Sequence, residues 1–209
     1  MPIIHRYIND LETIERQRQF CGQLINPNSN ILIIGTFNPS NESCEKQNNA
    51  QWFYGRRQSK FWKYFPTALT GQSLHPKDNY VGYPQTWKQY CLDNKIVIID
   101  LIKTININDI LPNFGDREVE CKINHDLTNT THFDIKNAFN GITFKKVLYS
   151  LTWSDIKIQR LRQIRNLINQ SLLDNGYIND TQQIKYCLTP SRNNAYQSWH
   201  DAINQKYSI

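Results

Sequence analysis

Four short runs of the chain, residues 30–34, 95–99, 145–149 and 183–188, concentrate β-branched and aromatic side chains and end at polar or glycine-containing turns. That is the pattern of strands buried in a parallel sheet. The intervals between them read as helical. Helices are expected over residues 5–24, 59–69, 153–173 and 194–204, so strands and helices alternate as in an open α/β sheet covered by helices. Residues 70–95 and 103–141 are punctuated by Pro, Gly, Asn and Asp and read as irregular insertions of loops and short turns or helices. The expected organisation is one domain over residues 1–209, with an N-terminal helical extension at about residues 1–28.

In an open parallel sheet, ligands collect outside the carboxyl ends of the strands, where loops meet helix amino termini. Four places are nominated: residues 35–39, 100–104, 150–154 and 189–194. Side chains far apart in sequence can then surround one pocket.

Composition narrows the class. With 209 residues and 39% apolar content the chain can build one well-packed core. Its formal charge of +6 permits a polyanionic partner without establishing one. No apolar run approaches the ~18 residues of a membrane span, so a soluble protein without a membrane partner is expected. The cysteines Cys21, Cys44, Cys91, Cys121 and Cys187 are odd in number and form no C-x-x-C pair. With no secretion leader read at the start, they fit structural thiols in a reducing cytoplasm. The histidines His5, His75, His125, His132 and His200 show no metal-ligand spacing, although His125 and His132 lie near Asp126 and Asp134. No metal or other cofactor is expected. The 24 asparagines are dispersed and imply no low-complexity tract.

Charge distribution says more than net charge. Arg56, Arg57, Lys60 and Lys63 fall in a stretch without Asp or Glu and interleave with Trp52, Phe53, Tyr54 and Trp62, as a phosphate-facing edge beside an aromatic pocket would. A second cluster, Lys157, Arg160, Arg162 and Arg165, shares its helix with Asp155 alone. Arg160 is the member expected to reach phosphate, whereas Lys157 and Arg165 read as solvating the helix. Phe61 and Trp62 read as the apolar face that holds a helix on the sheet. Asp100 closes its strand with a carboxylate, either to position water and stabilise a developing cation or to brace the pocket wall.

Four ordered segments carry a family resemblance: I-L-I-I-G-T-F-N-P-S at 31–40, W-F-Y-G-R-R-Q-S-K-F-W at 52–62, I-V-I-I-D-L at 96–101 and C-L-T-P-S-R-N-N-A at 187–195. Together they resemble the uracil-DNA glycosylase superfamily, in particular its hypoxanthine-DNA and mismatch-specific branches. The resemblance implies a three-layer α/β/α sandwich around a four-stranded parallel sheet and a pocket for an everted base. It also implies monofunctional cleavage of the glycosidic bond without a metal, leaving an abasic site. Gly35, Asn38 and Pro39 resemble the G-x-N-P-G motif whose asparagine places the hydrolytic water, with one residue more between Gly and Asn and with Ser40 for the final glycine. Ser59 stands where hypoxanthine-type relatives carry an asparagine thought to assist catalysis. The implied catalytic set is therefore Asn38, Asp100 and Ser59.

Phe37, Phe53 and Tyr54 are the candidates to stack on the everted base, with core packing as the other reading, more so for Phe53 than for Tyr54. By the same resemblance Ser191 contacts the DNA backbone and Arg192 enters the opened stack. Asn194 lies in the same loop and joins Arg56, Arg57, Lys60 and Arg160 as a candidate DNA contact. The proline turn at 190 can equally serve as a helix entry capped by Ser191 or Asn193. No catalytic lysine accompanies these motifs, which favours attack by water. The departures at the Gly–Asn spacing and at Ser59 suit a wider pocket, so a bulky modified pyrimidine in invading DNA, with a role in defence, stands beside damaged and mismatched bases in DNA repair. The expected partner is DNA, and the expected state is a monomer. Two other readings stay open: a catalytically weak DNA-binding protein on this scaffold, and a nucleotide-processing hydrolase, which lacks both G-x-G-x-x-G and G-K-S/T signatures.

Overall fold

The computed structural model of the chain describes residues 3–5, 12–14, 17–38, 40, 45, 52–55, 59–75, 83–106, 130–151, 159–190 and 192–205, with the backbone alone for 3–4, 12–14, 17–18 and 159–160. It opens on strand β1 (Ile3–Ile4), followed by β2 (Glu12–Ile14), β3 (Gln17–Phe20) and β4 (Gln23–Leu24), the last three forming an antiparallel meander. Where the helix expected over 5–24, and with it the helical extension at 1–28, falls on described residues, it is corrected to short strands and turns. The reason is the turn at Cys21 and Gly22, whose φ angles are 50° and 69°. Two consecutive positive φ values make the two-residue turn that suits a twisted hairpin, and the glycine bears the second of them without a Cβ penalty.

Next come β5 (Ile31–Gly35), α1 (Phe61–Thr70), α2 (Tyr83–Asp93) and β6 (Ile96–Asp100). The chain then turns at Leu101 into β7 (Ile102–Ile105) and continues through β8 (Thr130–His132), β9 (Lys146–Tyr149), α3 (Gln159–Asp174), β10 (Ile184–Tyr186) and α4 (Ala195–Asn204). The four expected strands are thus present within a residue or two, in one parallel sheet of order β10-β9-β5-β6. Residues 102–104, expected as loop, are instead strand β7, which pairs antiparallel with both β1 and β8. Helix α2 stands in a stretch read as irregular; it buries only Trp87, Tyr90 and Cys91. The expected helix over 153–173 is seen from Gln159; residues 152–158 lie outside the described residues.

All five residues of β5 and all five of β6 are buried, which is why their sequence is apolar without alternation. Tyr149 faces α3, where its hydroxyl donates to Asn169 Oδ1 at 2.6 Å, and its register partner Ile34 shares that face. Arg165, expected to solvate α3, is only 1% exposed there and lies 5.1 Å from the centre of the Tyr186 ring. A cation held over a π face and donating to Asn166 is the physical reason it tolerates burial. On the opposite face, Lys146 reaches the carboxyl end of α4 and donates to the carbonyl of Ile203. Helices therefore cover both faces, an α/β/α layering.

Helix α1 presents Phe61, Trp62, Phe65 and Ala68 to the core, one stripe of its surface, and packs on α4 through Phe61 and Phe65 against Trp199. Pro66 inside α1 has no N–H for the Trp62 carbonyl, which accepts the Leu74 N–H at 2.8 Å instead. At the β6 edge, the Gln23 side chain stands in for a neighbouring strand: Nε2 donates to Ile98 O at 2.5 Å, and Ile98 N donates to Oε1 at 3.2 Å. Among the described residues no helix is long and apolar enough to cross a membrane.

Cys21, Cys91 and Cys187 are buried. Burial pushes the Cys187 thiol up to about 12 and raises that of Cys91 further. Alkylation of the folded protein at pH 8 followed by peptide mass mapping should therefore leave Cys91 and Cys187 unlabelled until denaturant is added.

Candidate functional site

From the central strand β5 the order of the sheet runs to β6 on one side and to β9 on the other. Such a reversal opens a crevice between the carboxyl ends of the two inner strands, here Gly35 and Tyr149. The side chains at that crevice come from four parts of the chain.

Gly35 makes the arrangement possible. A Cβ at this position would collide with the Asp100 carboxylate and would lie 2.5 Å from the Tyr54 hydroxyl. Asp100 Oδ1 and the Tyr54 hydroxyl thus both rest against the bare backbone of the central strand. Tyr54 donates to Ser150 Oγ at 2.6 Å, so its hydroxyl spans from β5 to the end of β9. Its ring stacks on Phe61 at 4.2 Å, and its backbone is held at φ 55°. A left-handed tyrosine costs of order 1 kcal/mol or more and persists where the surroundings over-determine it. Here the stack and the hydroxyl bond do so.

Asp100 is 4% exposed and its Oδ2 lies 2.9 Å from His5 Nε2. The partners are 95 residues apart. Strand β1 brings them together: it pairs with β7 just beyond Asp100, and the His5 N–H donates to Lys103 O at 2.9 Å. The imidazole is enclosed by Phe37, Phe53 and Phe133, at centroid distances of 5.8, 5.9 and 5.1 Å. With the Nε2 proton donated to Asp100, one carboxylate oxygen is fixed and the other faces Gly35.

The sequence-predicted residues divide accordingly. Asp100 and Tyr54 meet at the crevice, and Asn38 is buried in the loop that follows β5. Phe37 and Phe53, candidates for stacking on a ligand, are instead 6% and 1% exposed and form walls of the His5 cage. Ser59 is at the entry of α1, where its hydroxyl accepts the Phe61 N–H at 3.4 Å. Lys60, Arg192 and Asn194 are exposed, the last in the left-handed conformation that starts α4. The loop before α4 is anchored by Ser198 and Trp199, which bond to the Leu188 backbone at 3.0 Å each. Arg56, Arg57, Pro39 and Ser191, and the side chain of Arg160, lie outside the described residues.

Sequence reasoning missed His5 as a site residue and Ser150 as a named one. The signal for His5 was a single polar residue after Ile3 and Ile4, legible only if that stretch is read as a strand. His132, noted beside Asp134, bonds its own neighbour through Nδ1 and Phe133 O at 2.9 Å. Among the described residues no cluster of His, Cys, Asp or Glu could hold a metal ion. Fold and site together define an α/β protein that gathers the polar side chains of Asp100, Tyr54 and Ser150 at the switch point of a parallel sheet. No family model, curated protein or solved structure matches the chain.

Two stability measurements test this geometry. Gly35→Ala should lower unfolding stability in urea by about 1–3 kcal/mol, because the added methyl must displace either the carboxylate or the phenol. A double-mutant cycle with His5→Gln and Asp100→Asn should give a coupling energy of about 1–3 kcal/mol. A coupling near zero would contradict a buried pair.

Proposed function

We propose that the chain is a monofunctional DNA glycosylase that hydrolyses the bond between deoxyribose and a base turned out of DNA. One observation carries the reading. The segments 31–40, 52–62 and 96–101, which bear the family resemblance, supply the crevice groups Gly35, Tyr54 and Asp100. The sheet on which they meet has the four parallel strands that the resemblance implies.

The chemistry assigns roles. As the glycosidic bond lengthens, positive charge develops on the sugar and negative charge on the departing base. Asp100, with Oδ2 held by His5, keeps the geometry of Oδ1 fixed over Gly35, where it holds a water and stabilises the cationic sugar. His5 is a positioning residue in this scheme, since it acts through Asp100. Tyr54 and Ser150 form the polar wall across the crevice, and the Asn38 amide in the adjoining loop is the second group suited to orient water. Water supplies the hydroxyl to the sugar carbon, and the base leaves with the bonding pair and takes up a proton. No covalent enzyme intermediate is required. Exposed Lys60 and Arg192, at the start of α1 and just before α4, supply positive charge for the DNA backbone. A modified pyrimidine in invading DNA belongs in the substrate panel beside repair lesions.

The test is release of free base and formation of alkali-labile sites under single-turnover conditions. The panel is of oligonucleotides containing uracil, hypoxanthine, mispaired pyrimidines or bulky modified cytosines. Excision of at least one base is expected, with Asp100→Asn and Asn38→Ala slowed roughly 10²–10³-fold in folded protein. DNA binding without product across the panel would favour a catalytically inactive binding module, and unchanged rates in both variants would remove their assigned roles.

A further inference from the structure

Beside the crevice, α1 and α4 bring their first turns together, and neither first turn carries an acidic residue. Tyr64 of α1 and Tyr196 of α4 meet edge to face, their ring centroids 6.0 Å apart. Tyr196 is 37% exposed and Tyr64 half-buried, so both rings offer surface to solvent. The ammonium groups of Lys60 and Lys63 each lie 6.0 Å from the centre of the Tyr64 ring, and both lysines are exposed. Arg192 is exposed three residues before Ala195 opens α4, and His200 extends the aromatic row at 5.9 Å from Tyr196. The nearest carboxylate on α4, Asp201, is engaged by Gln197 Nε2 at 2.6 Å and by His200 at 3.3 Å. Phe61, in the same first turn as Tyr64, is buried and carries the stacked ring of Tyr54, which ties the patch to the crevice through packing.

One exposed and one half-buried tyrosine among cations, with no acid in either first turn, suit a polymer that alternates negative charge with flat apolar faces. We propose that Tyr64 and Tyr196, with Lys60, Lys63 and Arg192, form a docking platform for an unpaired DNA strand. Bases stack on the two tyrosines while the phosphates follow the cations. This deepens the reading of the crevice as a DNA site, and rests on it, by naming single-stranded DNA flanking the target nucleotide as the preferred form. Duplex DNA offers its phosphates to the same cations but keeps its base faces stacked away from the tyrosines.

The experiment measures binding by fluorescence anisotropy of labelled 20-mers of ordinary DNA sequence, single-stranded and duplex, and of the matching RNA, to the full chain over a salt series. Single-stranded DNA should bind more tightly than duplex or RNA. Tyr196→Ala and Tyr64→Ala should each weaken it on the order of tenfold, while Tyr196→Phe and Tyr64→Phe retain binding because the stacking face survives. Combined Lys60→Gln and Lys63→Gln should flatten the slope of log affinity against log salt by about one to one and a half units, roughly 0.7 for each single-strand phosphate that is no longer neutralised. Thermal melts by circular dichroism establish that each variant is folded; should an alanine variant fail to fold, the serine variant at that position takes its place. Tighter binding of duplex or RNA, or alanine variants that bind single-stranded DNA as the wild type does, would overturn the platform. Since these oligonucleotides contain no target base, that failure is separable from a failure to excise any base in the substrate panel.

Discussion

The crevice depends on one missing side chain. Gly35 ends the central strand of a parallel sheet, and its neighbours in the crevice, Asp100 from β6 and Tyr54 from the loop before α1, both occupy the space a Cβ would take. Close approach to bare backbone lets a carboxylate and a phenol converge from two sides of the strand. Tyr54 then reaches Ser150 at the end of β9, joining three strand ends through side chains. Had the strand closed on any other residue, the carboxylate and the phenol would have been held apart and the crevice filled.

Around that point the fold invests interactions that packing alone would not need. A buried carboxylate and imidazole carry desolvation costs that an apolar pair of the same volume would avoid. Three phenylalanine rings enclose His5, restricting the imidazole and through it the Asp100 carboxylate. The small antiparallel sheet β1-β7-β8 is what delivers His5, so the first residues of the chain are part of the site rather than an appendage to it. In the proposed hydrolysis, preorganisation of this kind is what lowers the barrier: an oriented carboxylate does not have to be ordered again as charge develops on the sugar.

What could be read in the sequence follows from how local each feature is. The strands β5, β6 and β9 and the helices α1 and α4 announce themselves because burial on both faces, or on one helical stripe, dictates local composition. Asp100 and the loop with Asn38 were legible as strand-end positions for the same reason. The N-terminal stretch was not. Its polar residues mimic a helical period, and its true state turns on Cys21 and Gly22 and on pairing with β7, about 100 residues away. His5 followed that error, since a lone histidine gains meaning only from a partner 95 positions on. Helix α2 escaped notice because it buries only three side chains, and Arg165 because its burial depends on Tyr186 from another strand. Phe53, expected more for the core than Tyr54, is indeed the deeper of the two.

The central claim is that the crevice between β5 and β9 receives a nucleotide turned out of DNA. Its most direct test is a crystal structure of the protein with an oligonucleotide whose target sugar is a non-hydrolysable analogue. The account predicts the sugar at the carboxyl end of β5, a water between it and Asp100, the His5–Asp100 bond intact, and the base against Tyr54 and the loop carrying Asn38. An oligonucleotide bound with its bases all stacked and the crevice vacant, or with the sugar remote from Asp100, would contradict it.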